Sequence, residues 1–334
     1  MHPIARAVAS LLAAAAFAGV TAGPVAAQDG VPWTVTTAAN DFGADRENFS
    51  YTADAGEQIT DGLTIANHGT SPLELAVYGA DAFTTGTGQL DLLAKTKPST
   101  DVGAWVHPST DHVTVQSGQA TEVPFTVMVP ADAKAGDHLG GILTSLTQGD
   151  VERRVGLRIR LRVGGDLRPG LSVENLDARY SGTANPLGTG DATLTYTIRN
   201  TGNAIVTARQ TAAVSGPFGS WRVQAQPLPD SPQLLPGETW QVTTPVHGVT
   251  PALYMAATVT LIPLLTDAAG SIAPLATADT TTHSWAVPWT LLTVILIGLV
   301  VVALVIRRRR RRAGRHTGTE NREAGTRETA NTSR

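Results

Sequence analysis

The sequence has no cysteine. Disulfides, thiol nucleophiles and thiolate metal ligands are therefore excluded, and any folded part must rest on ordinary apolar cores. Other signatures are missing as well. There is no His-Glu-x-x-His and no Gly-x-Ser-x-Gly, the patterns that put two zinc ligands on one helical face or a serine on a sharp strand-to-helix turn. Gly140-Gly141 lacks the lysine and the strand–loop–helix setting of a phosphate-cradling loop. No segment before residue 285 repeats its apolar residues at a helical period. Long apolar runs are scarce too: there are two, one at each end of the chain.

The first run, residues 7–20, follows Arg6 and precedes Val25-Ala26-Ala27. A positive start, a short apolar stretch and small residues before a cut site make a secretory signal peptide over residues 1–27, with cleavage expected after Ala27. The second run, residues 287–306, holds no charged residue and only Thr290 and Thr293 as polar side chains. About 20 residues at ~1.5 Å each cover the hydrocarbon core of a bilayer. Trp285 and Trp289 stand at its start and six arginines, residues 307–312, follow it. Indole rings favour the membrane interface and arginines the cytoplasmic flank, so residues 285–306 read as one transmembrane helix with the C-terminus inside and its arginines against membrane lipid. The tail, residues 307–334, has no apolar face beyond Ala313 and reads as disordered.

Charge divides along the same line. The tail carries ten arginines and three glutamates, which leaves 14 basic and 25 acidic side chains in residues 28–306, a net charge of −11. An acidic ectodomain is not a general polyanion binder, and no nucleic-acid partner is expected.

Between the two ends the pattern is β throughout. Leu63-Thr64-Ile65 and Leu73 to Val77 alternate around an Asn67-His68-Gly69-Thr70-Ser71-Pro72 turn and read as paired strands. Val155, Leu157, Ile159, Leu161 and Val163 point one way, and Arg158, Arg160 and Arg162 the other. One core face and one wet face predict an antiparallel sheet. The Gly/Pro-rich stretch at residues 164–170 breaks the pattern and separates residues 28–165 from residues 166–284. The second half repeats the first in outline. Ile198-Arg199-Asn200-Thr201-Gly202 echoes Ile65-Ala66-Asn67-His68-Gly69, and Leu235-Pro236-Gly237-Glu238 echoes Gln116-Ser117-Gly118-Gln119. The expected fold is an all-β ectodomain of two tandem immunoglobulin-like β-sandwiches plus one C-terminal transmembrane helix.

Candidate chemistry is thin. His107, Asp111, His112 and Asp137-His138 are of metal-ligating type, but turn composition accounts for the first group, and neither a metal nor a cofactor is expected. The arginine stripe has two readings. Arg158, Arg160 and Arg162, with Arg153, Arg154 and Arg168 nearby, can form a cationic strip for phosphate or carboxylate groups of a wall polymer, or a solvated face whose charges deter edge pairing. Trp33, Trp105, Trp221 and Trp240 suit sugar stacking or a core equally well.

Several phrases have a familiar order: Phe49-Ser50-Tyr51, Gly56 to Asp61, Val77-Tyr78, Asp81-Ala82, Gly103-Ala104-Trp105, Val123 to Val127, then Pro130-Ala131-Asp132-Ala133 and Gly136-Asp137-His138-Leu139-Gly140-Gly141-Ile142. In this order they resemble the peptidoglycan-binding domain of the WxL-interacting proteins, in an actinobacterial-type member, over about residues 34–163. Trp289-Thr290-Leu291 spells W-x-L but lies in the anchor and counts as chance. The resemblance implies a non-catalytic surface protein that binds peptidoglycan or an associated anionic wall polymer and links wall to membrane, with WxL-type or other surface proteins as further partners. The candidate ligand residues are Arg158, Arg160, Arg162, Trp105, Asp137 and His138. The alternative is a membrane-anchored assembly or adhesion protein that binds a surface polypeptide, through an exposed sheet edge.

Overall fold

The computed structural model describes residues 31–185, 188–266 and 272–324; the signal-peptide reading and the last ten residues lie outside them. The first sandwich comprises β1 (Trp33–Thr37), β2 (Phe49–Ala53), β3 (Gln58–Asn67), β4 (Leu73–Thr84), β5 (Leu90–Leu92), a single turn α1 (Val102–Trp105), β6 (Val106–Pro108), β7 (His112–Val115), β8 (Ala120–Met128), β9 (Gly136–Gln148) and β10 (Val151–Val163). One sheet has the order β1-β3-β8-β6; the other runs β2-β10-β9-β4-β5, with β7 also on β4. All pairs are antiparallel except β2 with β10, which is parallel. Alternation does what it should: Ile159, Leu161 and Val163 of β10 are buried against Trp33, Phe49, Ile65, Leu75 and Phe125. Trp33 is fully buried and donates across the two sheets from Nε1 to Thr144 Oγ1 at 2.7 Å, so its polar edge is satisfied inside the core.

The second sandwich comprises β11 (Leu171–Ser181), β12 (Gly190–Asn200), β13 (Val206–Ser215), β14 (Val223–Gln224), β15 (Thr239–Val249), β16 (Leu253–Thr266), β17 (Ile272–Pro274) and β18 (Ala278–Ala286). Its sheets are β11-β12-β15 and β14-β13-β16-β17, with β18 also on β16. Tyr196 is its central aromatic, and its hydroxyl donates to Gln210 Oε1 at 2.6 Å. The chain is thus two immunoglobulin-like β-sandwiches followed by one helix.

The expected hairpin between β3 and β4 is corrected: β3 pairs with β1 and β8, β4 with β5, β7 and β9, and the chain arches from one sheet to the other. Asn67 closes this arch from inside. Its Nδ2 donates to Ser71 O and Val115 O, and its Oδ1 accepts the Gly69 N–H, all at 2.8–2.9 Å. Asn200 does the same in the second sandwich, donating to Ala204 O and Leu234 O and accepting from Gly202 N–H. The flanking turns match as well: Gly118 N–H donates to Asn67 O, and Gly237 N–H to Asn200 O, each at 3.0 Å. The sequence echo is therefore a shared device that satisfies the buried backbone of each arch.

Two residues, Val287 and Pro288, separate β18 from the helix α2 (Trp289–Ala324). Trp285 and Ala286 lie within β18, with Ala286 fully buried, so the second sandwich ends at 286 and not at 284. Residues Trp289–Arg310 are long and apolar enough to cross a membrane, and none of that stretch is buried against the sandwiches. The helix backbone continues beyond residue 306, where the sequence predicts its end, and through the first part of the tail read as disordered. Arginine, alanine and glutamate are good helix formers, so the basic run prolongs the helix without an apolar face.

Candidate functional site

The two sandwiches meet at one end of β9. Gly136 has φ +138°, and a Cβ there would lie 2.3 Å from Asn203 O, so only glycine allows the approach. Asp137 N–H donates to that same Asn203 carbonyl at 2.8 Å, and Asn203 Nδ2 donates to Ala135 O at 2.8 Å. Glu238 reaches back to accept from Thr84 N–H and Oγ1 at 2.8 and 2.7 Å. Leu139, Ile205 and Leu235 form a small buried apolar cluster in the joint.

Asp137 is the centre of this joint. Its side chain is 0% exposed and accepts from Arg162 Nε at 2.7 Å, Arg160 Nη2 at 3.3 Å and Ile205 N–H at 3.0 Å. Burial pushes its carboxyl up, but the Arg162 hydrogen bond, the Ile205 N–H and the two guanidinium charges outweigh this and hold it below its ordinary range. The expected cationic strip is therefore corrected. Arg160 and Arg162 are committed to a buried carboxylate. Arg154 donates to Leu92 O, whereas Arg158 is exposed and makes no ion pair among the described residues. The register explains it, because Arg162 sits opposite Asp137 on the neighbouring strand.

The phrases that carry the family resemblance converge beside the joint. Asp81 accepts the N–H groups of Thr100, Asp101 and Gly103 at 2.6–3.2 Å and so fixes the start of α1. Gly79 and Gly140 leave room for α1, since a Cβ on either would approach Gly103 or Val102 within 2.5–2.7 Å. Trp105, the last residue of α1, is buried and not available for sugar stacking; its ring lies 4.9 Å from that of His138. His138 holds Asp101 Oδ1 through Nδ1 at 2.7 Å and Lys134 O through Nε2 at 2.8 Å. Both partners are acceptors, so this arrangement favours the doubly protonated ring. Burial lowers its pKa, but these hydrogen bonds and the Asp101 charge raise it above the usual histidine value. At the far edge of the sheet that contains β9, Tyr51 of β2 joins Asp61 of β3, from two further phrases, with Arg46 and Asn40. The Asp61 carboxylate accepts from Tyr51 Oη, Arg46 and Asn40 at 2.6–3.0 Å.

A cleft of about 740 Å³ opens between the sandwiches over this assembly. Asp101, Lys134 and His138 line it from the first sandwich, and Arg199, Asn203 and Glu238 from the second. Most of its charges are already paired: Asp101 with His138, Arg199 with Glu174 at 2.8 Å, Glu238 with Thr84. Lys134 makes no ion pair among the described residues and is the cation the cleft offers. His107 and His112 lie elsewhere, on β6 and β7, and no group of three potential metal-ligating side chains occurs among the described residues. Lys134 and the second-sandwich wall were not foreseen; only the three-dimensional joint places them together. Of the other tryptophans, Trp33 is core, Trp240 half-buried and Trp221 exposed.

No family model matches the chain, and no curated protein matches it. Solved structures similar to it include the class 5 fimbriae chaperone CfaA, 10% identical over 76% of this chain and all of that one, with a TM-score of 0.35. Others are the Pseudomonas aeruginosa CupB2 chaperone, 10% identical over 73% of this chain and 99% of that one at 0.30, and the E. coli chaperone DraB, 9% identical over 76% and 97% at 0.32. Identities and scores this low carry nothing about ligand or partner.

Proposed function

We propose that the chain is a non-catalytic surface protein that binds peptidoglycan or an associated anionic wall polymer in the interdomain cleft and links that polymer to the membrane through α2, with the arginine run inside. The reading rests on one observation: the Asp81-Ala82 and Gly136 to Leu139 phrases line one wall of a cleft whose unpaired charge, among the described residues, is the Lys134 ammonium, with Trp105 packed behind His138. A lysine ammonium suits a carboxylate or phosphate on a polymer, and His138, with both ring nitrogens hydrogen-bonded, is not placed to act as a general base. The WxL-interacting resemblance gives the polymer its name and the positive-inside rule gives the orientation.

Sedimentation of the detergent-solubilised chain with protein-free sacculi tests this. The expected result is binding that weakens as salt rises and that Lys134→Glu reduces strongly. Absence of sedimentation, with recovery of a polypeptide from a surface extract, replaces the wall reading by the assembly reading.

A further inference from the structure

At the end of the second sandwich remote from the joint, the register brings four segments together. Ser215 of β13 pairs with Ala256 of β16, and Leu253 of β16 pairs with Ala286 of β18. The β13–β14 connection, the start of β16 and the end of β18 therefore share the end from which the chain enters α2. The β11–β12 connection joins them, since Thr290 Oγ1 of α2 donates to Thr183 O at 3.3 Å.

The loops at this end are apolar and carry no acid; the nearest carboxylate, Asp191 at the start of β12, pairs with His247 at 3.1 Å. Phe218 is fully exposed, and Trp221 and Leu253 are more than half exposed. All three have left-handed backbone, φ +57°, +48° and +62°, a conformation bulky residues rarely hold. Tyr254 stacks on His283 at 5.1 Å, and Trp285 and Trp289 are each 73% exposed. Residues 182–189, 216–222, 250–254 and 285–290 hold no aspartate or glutamate, in a body with 25 acidic side chains; their one full charge is Arg222. A large exposed aromatic group in water is costly unless something covers it.

We infer that this end is a membrane-contact surface: Phe218, Trp221, Leu253, Trp285 and Trp289 form a collar that sits in the bilayer interface, with Arg222 among the lipid phosphates. The inference rests on α2 spanning the bilayer. Only Val287 and Pro288 separate β18 from α2, so the collar cannot stand far from the membrane surface. Aromatic rings favour that layer, and loops with an arginine and no carboxylate are the part of an acidic body that anionic lipid does not repel. The ectodomain then stands docked on the bilayer, with its cleft at a fixed height.

The cysteine-free chain makes single-thiol labelling simple. The full chain, reconstituted in phosphatidylcholine/phosphatidylglycerol nanodiscs, would carry a nitroxide at Phe218→Cys, at Thr243→Cys on exposed β15, or at Leu296→Cys in α2. The expected result is that molecular oxygen relaxes the 218 label more than a water-soluble nickel chelate does, as for 296, while 243 shows the reverse. In unlabelled chain, Trp221→Phe should remove part of the fluorescence quenched by brominated lipid. A 218 label that behaves like 243, with 296 in lipid and quenching unaltered by Trp221→Phe, overturns the collar and leaves the anchor intact. A 296 label in water overturns both.

Discussion

Replacing Asp137 by alanine removes one buried acceptor from three donors. Arg162 and Arg160 lose their partner, and Ile205 N–H is left without one in the joint. Breaking a buried ion pair from one side costs about 3–5 kcal/mol, and an orphaned buried N–H about 1–3 kcal/mol. Both arginine side chains are about one third exposed, at 32% and 30%, so water takes over part of their loss. The balance is about 3–4 kcal/mol, close to 10 °C in melting temperature for a body of this size. Asp137→Asn keeps one of the two acceptor oxygens but turns the other into a donor and removes the charge, so it should cost somewhat less than Asp137→Ala. Because the Asp137 bonds couple two sandwiches, calorimetry of the chain in detergent should show one ectodomain transition in the parent and two in Asp137→Ala. A single transition within about 0.5 kcal/mol of the parent, the scatter of ordinary surface changes, would refute the reasoning. The acid limb follows. A carboxyl held below its unfolded value contributes fully above about pH 4 and loses its contribution as pH falls through the depressed value, so the acid transition of the parent should be steeper than that of Asp137→Asn.

Asn67→Asp and Asn200→Asp should each destabilise their own sandwich by about 2–4 kcal/mol in urea unfolding, because a carboxylate cannot donate to the two carbonyls each amide holds; an Asp variant as stable as the parent removes the arch argument. His138 has the opposite pH sign to Asp137. Its raised pKa makes its contribution complete below about pH 6.5 and lost as pH rises through the raised value, so melting temperature should fall as pH rises above about 6.5 and His138→Gln should flatten that fall.

Much of the architecture could be read from the residues. Alternation in β10 identifies its core face, and Asn-x-Gly with a following Gly turn identifies the repeat, because both are local patterns tied to backbone geometry. Strand partners were not readable in the same way. Nothing near Asn67 says that β4 pairs with β9 some 70 residues on, and a turn between two alternating runs looks the same whether it closes a hairpin or an arch. The arginine stripe failed for a related reason. Period two gives the face a side chain takes but not what covers that face, and Asp137 reaches Arg162 only through register and Ile205 only through domain packing. Trp105 and the glycines of the Gly136 phrase were legible as unusual, but their use in seating α1 was not.

The duplicated arch has a consequence for how the chain can change. In the second sandwich the loop after Asn200 is clamped, with Asn203 bonded to Ala135, Asp137, Asp166 and Arg168. In the first, the loop after Asn67 lies at the opposite end of the sandwich from the Gly136 joint, as the pairing of Ala66 with Ala120 and of Gln58 with Met128 requires. The same fold element is thus a hinge plate at one place and the outermost tip at the other. Residues 68–70 are held only within their own sandwich, through Pro32, Asn67 and Ser117, whereas residues 201–203 also hold the other sandwich, so changes at the tip leave the joint between the sandwiches untouched.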